Sequence, residues 1–227
     1  MDLKKHYIDL YKDSIRQVTN NEYNIDTLID SPDDKRFGIS LLIRPTSKVK
    51  ERIKGFMNEI RKIEPFQYYY PESDIHITVL SIISCYDGFD LSQINISDYD
   101  KVIEKSISSI PHFKIDFKGI TASPSCVMIQ GYPKNGNLNT IRDNLRETFR
   151  KSDLEHSIDK RYEIKTAHST IIRLKEKLNH IEKYLSILNK YRNHDFGSFE
   201  IKDLELVYND WYHRIEKSNC LKVYGLS

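Results

Sequence analysis

Two tripeptides stand out in this chain: His76-Ile77-Thr78 and His168-Ser169-Thr170. In an extended backbone the side chains at i and i+2 project to the same side, so each tripeptide presents an imidazole and a hydroxyl together. A histidine titrates near neutrality, with an ordinary pKa of about 6.5, so one ring of a pair can accept a proton while the other donates one. Two imidazoles and two hydroxyls around one space suit phosphodiester chemistry. One ring takes a proton from the attacking oxygen and the other gives a proton to the departing oxygen. The threonine hydroxyls, with imidazolium charge, would hold the non-bridging oxygens as negative charge builds.

For this to work the chain must carry both tripeptides to one cleft, and its patterning predicts a scaffold that does so. Apolar spacing of three to four predicts an amphipathic helix over residues 3–19, followed by polar turns up to Asp34. From there strand and helix patterns alternate. Strands are predicted at Phe37–Ile43, Asp74–Ser84 and His112–Ile120, with helices from Thr46 or Ser47 to about Ile63 and over Ser97–Ile110. The order then recurs: strand Cys126–Gly131, helix Leu138–Phe149, strand Thr166–Leu174, helix Ile181–Tyr191, strand Ser198–Tyr208. A hairpin through Asn209, Asp210 and Trp211 leads to a last strand at Cys220–Tyr224. The spacing matches between copies, with 39 residues from Phe37 to His76 and 41 from Val127 to His168. The closing strands also share a pattern, Phe113-x-Ile115 against Phe199-x-Ile201. We read an internal duplication, with halves at roughly 37–120 and 125–208. The expected fold is α+β: two pseudo-symmetric lobes, each an antiparallel sheet with helices outside, flanking a central cleft. The expected division is an N-terminal helical extension over 1–34 and a bilobal domain over 35–227.

On these two motifs, 92 residues apart and each central to its repeat, the chain resembles the 2H phosphoesterase superfamily, and within it the 2′-5′ RNA ligase or cyclic phosphodiesterase family. The resemblance runs from about Phe37 to Tyr224. It implies a bilobal fold and metal-independent hydrolysis of cyclic phosphodiesters, such as 2′,3′-cyclic phosphates on nucleotides or RNA ends, or of 2′-5′ linkages. By the same resemblance His76 and His168 are the catalytic residues and Thr78 and Thr170 the phosphate-binding ones. Family motifs place an apolar residue between the histidine and the threonine. Ile77 fits that pattern and Ser169 departs from it, which affects packing behind the second strand because Ser169 faces away from the cleft.

Other side chains make a weaker case. Tyr132 and Tyr208 end strands that border the expected cleft and are the candidates for stacking on a base. Arg173, five residues after His168, is sent by strict alternation to the opposite face unless the strand bulges. Asp74 reads as a strand cap or a solvent-facing group. His6, His112, His156, His180, His194 and His213 have no matching partner motif and read as surface or structural. No HxH or HExxH cluster completes a metal site, so neither metal nor cofactor is expected.

Composition narrows the remaining classes. The chain has 227 residues, with 35 basic and 33 acidic side chains and a formal charge of +2. That balance argues against a protein coating long nucleic acid, while leaving a nucleotide or an RNA terminus as partner. Cys85, Cys126 and Cys220 are widely spaced and read as reduced thiols. The polar amino terminus and the lack of a long apolar run predict a monomeric cytoplasmic protein with no membrane partner. The alternatives are a catalytically silent nucleotide or RNA-end binding module on the same scaffold, and an enzyme that degrades cyclic dinucleotide or oligonucleotide signals.

Overall fold

In a computed structural model that describes residues 2–227, the chain forms a mixed α+β structure with two antiparallel sheets and five α-helices. The first sheet contains β1 (Arg36–Ile43), β3 (Ile77–Asp87), β8 (Asp203–Asp210) and β9 (Asn219–Gly225), in the order β3-β1-β8-β9. The second contains β2 (Tyr68–Tyr69), β4 (Phe113–Ser123), β5 (Cys126–Pro133), β6 (Ser169–Arg173) and β7 (Asp195–Ile201). Its order is β2-β6-β5-β4-β7.

Neither sheet is built from one half of the chain. The closing strand of the first half, β4, pairs with β5 in the second sheet. Strand β8, from the second half, pairs with β1 in the first. The helices cross over in the same way. Helix α2 (Ser47–Arg61) touches β6, β7 and α5 (Ile181–Lys190), while α4 (Asn137–Arg150) touches β3 and α3 (Ile96–Ile107). Each half of the chain therefore hands a strand and a helix to the other lobe, and one continuous apolar core runs through both. Pulling the sheets apart would expose that shared core to water, so burial of apolar surface holds the two sides of the cleft together.

The stretch expected as one strand over Ser198–Tyr208 is two. Lys202 separates β7 in the second sheet from β8 in the first. The buried positions show the break: Phe199 and Ile201 are odd-numbered, Leu204 and Leu206 even. The Phe113 and Phe199 strands, aligned above as equivalents, are instead direct partners, with Ile115 opposite Phe199.

Helix α1 (Leu3–Thr19) starts at Asp2, whose side chain accepts from the Lys5 amide at 3.1 Å. It packs on β4 and α5. Tyr7, Ser14 and Val18 form its buried stripe.

Candidate active site

His76 and His168 occupy equivalent places, each one residue before a strand, β3 and β6, rather than inside one. Both line a single cavity of about 440 Å³, together with Thr78 and Thr170. The strands diverge from simple alternation just after each motif. In β3, Leu80 opposes Leu41 while Thr78 opposes Leu42, which leaves Val79 as an extra residue. A second slip leaves Ile82 extra. In β6, Ile172 opposes Val127 while Thr170 opposes Met128, which leaves Ile171 extra. Each bulge resets the parity of the strand. Thr78, Ser81 and Ser84 consequently share the cavity face of the first sheet, and Thr170 and Arg173 share that of the second. Arg173 thus lies on the cavity side, against the expectation from strict alternation. Ser169 does face away: it is fully buried, and its hydroxyl has no partner among the described residues.

Each imidazole is oriented by the residue two before it. His76 Nδ1 lies 2.6 Å from the Asp74 carbonyl oxygen. A carbonyl only accepts, so Nδ1 carries a proton there and Nε2 of the neutral ring holds a free lone pair. His168 Nδ1 lies 2.6 Å from the Thr166 hydroxyl, which can donate or accept, so that ring can adopt either tautomer. Burial pushes both rings well below the ordinary histidine value. His76 falls to about 3, with Arg44, His168 and Arg173 adding to the effect and the Asp74 carbonyl opposing it. His168 falls to about 4, with Arg142, Arg173 and His6 adding. Both rings are therefore neutral at pH 7 in the empty cavity.

Arg173 keeps its charge there. Burial works against it, but the neighbouring Tyr70, Cys126 and Asp26 outweigh that and raise its pKa. Its Nε donates to the Tyr70 hydroxyl at 2.9 Å and Nη1 to Asp26 at 3.4 Å. Behind the motifs, the buried Arg142 of α4 donates to backbone carbonyls rather than to a carboxylate. Its acceptors are those of Val79 (2.8 Å), Thr78 (3.2 Å) and Thr166 (2.7 Å), which ties the two motif strands together from both halves of the chain.

Several expectations need correction. Tyr132 and Tyr208 do not line the cavity. Tyr132 donates to Gln130 Oε1 at 2.5 Å, and Tyr208 stacks on Phe37 with ring centres 5.0 Å apart. The aromatics that do line it are Tyr70, Tyr162 and Trp211. Asp74 is buried rather than solvent-facing. Its Oδ1 accepts from the Ser73 hydroxyl at 2.7 Å and the Ile215 amide at 3.3 Å, and Oδ2 has no partner among the described residues. His6 and His213, read as surface or structural, both line the cavity. The His213 ring centre is 4.2 Å from that of His76. Asn209 Nδ2 donates to His213 Nε2 at 3.3 Å, and burial holds this ring neutral as well. Nothing local marks His213, which sits in a turn at φ 57° after β8. Tertiary packing alone brings it to His76.

One wall is irregular chain over residues 151–168, so the strand expected from Thr166 begins only at Ser169. This wall is pinned to β3, with the Ser84 amide donating to the Ser157 hydroxyl at 2.6 Å and Arg161 Nη2 to the Cys85 carbonyl at 3.0 Å. Among the described residues no group of three or more His, Cys, Asp or Glu side chains is placed to hold a metal ion. Likewise no described helix is long and apolar enough to cross a membrane.

Two crossed-over sheets thus bring a histidine–threonine pair from each to one cavity. The family model of the AKAP7 2′5′ RNA ligase-like domain matches residues 37–216, and the chain belongs to that family. Solved structures share the fold at low identity. Escherichia coli LigT complexed with ATP matches with a TM-score of 0.54 and 11% identity, over 85% of this chain and 99% of LigT. TT0787 of Thermus thermophilus matches with a TM-score of 0.59 and 14% identity, over 83% and 97%. ATU0111 of Agrobacterium tumefaciens, described as of unknown function, gives 0.58 and 12%, over 92% and 97%. LigT has also been crystallised with 3′-AMP. No curated protein matches the chain.

Proposed function

We propose that this protein is a 2H-type phosphoesterase that opens cyclic phosphodiesters, such as a 2′,3′-cyclic phosphate on a nucleotide or RNA end, or cleaves 2′-5′ linkages, without a metal. The observation that carries this reading is the convergence of His76 and His168, each with its own threonine, on one cavity. A phosphodiester anion bound between the rings favours their protonated forms and draws the depressed pKa values back up. Once one ring is charged the other resists charging, because like charges at close range oppose each other. That leaves one imidazolium as general acid and one neutral imidazole as general base, the complement the reaction needs. The attacking water or hydroxyl loses its proton to the base as its oxygen bonds to phosphorus. The leaving oxygen takes the acid's proton as its bond to phosphorus breaks. Thr78, Thr170 and Arg173 hold the non-bridging oxygens through the transition state. The nucleotide complexes of LigT, which shares the fold, support a nucleotide as the bound partner.

The test is turnover of a panel of 2′,3′-cyclic mononucleotides, 2′-5′-linked oligomers and cyclic dinucleotides, read by chromatography, in EDTA and in added divalent ion. The expected outcome is hydrolysis of a cyclic phosphodiester or a 2′-5′ linkage at the same rate in both conditions. Activity lost in EDTA and restored by the ion would overturn the mechanism. Tight binding of a cyclic nucleotide with no product after hours would show a binding module instead.

A further inference from the structure

We propose that His6, on the N-terminal helix α1, is a further substrate-binding residue of the catalytic cavity and takes an anionic phosphate oxygen of the nucleotide. The proposal rests on the phosphoesterase reading above. It concerns a segment that precedes the family-matched stretch, residues 37–216.

His6 lines the same cavity as His76 and His168, and so does Leu10, one turn further along α1. The two are four residues apart and share a flank of the helix. The adjacent stripe, Tyr7, Ser14 and Val18, is buried against the protein. This anchoring is polar as well as apolar. The Tyr7 hydroxyl donates to the Gly131 carbonyl at 3.3 Å and accepts from the amides of Gly131 at 3.4 Å and Ala167 at 3.2 Å. Ala167 is the residue before His168, so α1 is bonded to the backbone that carries the second motif. A side chain at position 131 would find no room, since a Cβ there would lie 1.9 Å from the Ala167 carbonyl oxygen. Further along, Thr121 Oγ1 donates to the Tyr7 carbonyl at 2.9 Å and Ser14 Oγ to the Ser123 carbonyl at 2.9 Å. The Arg192 guanidinium sits 3.9 Å from the centre of the Tyr11 ring.

A helix held at this many points is a wall of the cavity, and what it turns inward is an imidazole. His6 is only half-buried, and its ring makes no hydrogen bond among the described residues. An imidazole with free nitrogens facing a phosphate-binding cavity can donate a charge-assisted hydrogen bond once an anion arrives.

The experiment uses full-length protein with 15N-labelled histidine rings, titrated with 3′-AMP, alongside His6→Ala and His6→Gln. The expected result is that the ring signals of His6, His76 and His168 all move. His6→Ala should then bind 3′-AMP about tenfold more weakly, while His6→Gln, which keeps a donor, recovers part of the loss. If His76 and His168 move while His6 does not, and His6→Ala binds as the parent protein does, the role of His6 is refuted and the phosphoesterase reading stands. If no ring responds to 3′-AMP, both fall. The ring signals come from the unsubstituted protein, so they decide the matter even if a substitution disturbs α1.

Discussion

At the scale of single residues, the two motif histidines are alike in place but not in chemical freedom. The Asp74 carbonyl holds the His76 proton on Nδ1 and so leaves Nε2 of the neutral ring open, while His168 faces a hydroxyl that permits either tautomer. Removing either proton carrier should cost on the order of 10²–10⁴ in kcat, so His76→Ala and His168→Ala are expected to fall by that much in single-turnover assays. Affinity for a mononucleotide should change far less, because the threonines and Arg173 remain. In the unliganded protein both rings should titrate well below pH 5 by NMR, consistent with values of about 3 and about 4. Saturating 3′-AMP should move both titrations upward. A ring that titrates near 6.5 in the empty protein would remove the buried character assigned to the site.

At the scale of secondary structure, the bulges and one buried arginine decide what faces the cavity. Without the extra residue at Ile171, Arg173 would turn away from Thr170 and the site would lose its half-buried cation. Arg142 braces both motif strands through three carbonyls. Arg142→Met should leave those acceptors unpaired in the interior. Loss of about 2–4 kcal/mol in denaturant unfolding is expected, since each orphaned buried group costs about 1–3 kcal/mol and the new thioether chain recovers part of the sum. The same variant should lose kcat more than it raises KM, because it shifts the motif strands rather than a substrate contact. Stability and kinetics unchanged from the parent would show that the strands hold their places without it.

For the molecule as a whole, three neutral imidazoles enclosed between the lobes link folding to pH. Burial depresses His76, His168 and His213 in the folded state, so between about pH 6.5 and the folded values the unfolded chain binds more protons. The sign follows: stability is fully present above about pH 6.5 and is lost as pH falls toward 4, by up to about 1.4 kcal/mol per pH unit for each such ring. Urea midpoints measured from pH 7.5 to 4.5 should show this decline. His213→Asn should flatten it, since asparagine tolerates the left-handed backbone at that position and does not titrate. An unchanged slope in that variant would mean His213 is protonated in the folded protein as well.

Most of the helices and strands and the paired His-x-Thr motifs were legible in the chain itself, because apolar periodicity and local spacing are properties of neighbouring residues; the two-residue β2 and the division of the Ser198–Tyr208 stretch were not. The register slips were not, since a bulge is set by the strand alongside, and so Arg173 could only be placed once Met128 was seen opposite Thr170 and Val127 opposite Ile172. Nor was the exchange of β4 and β8 between lobes, the second of which turns on the single-residue break at Lys202. His6, His213 and Trp211 reach the cavity from α1 and from the turn after β8, segments whose own patterns say nothing of a site. The sequence determined which groups could react and in which kind of scaffold. Only long-range packing decided which of them meet, because contacts between residues far apart in the chain depend on how whole sheets and helices bury one another.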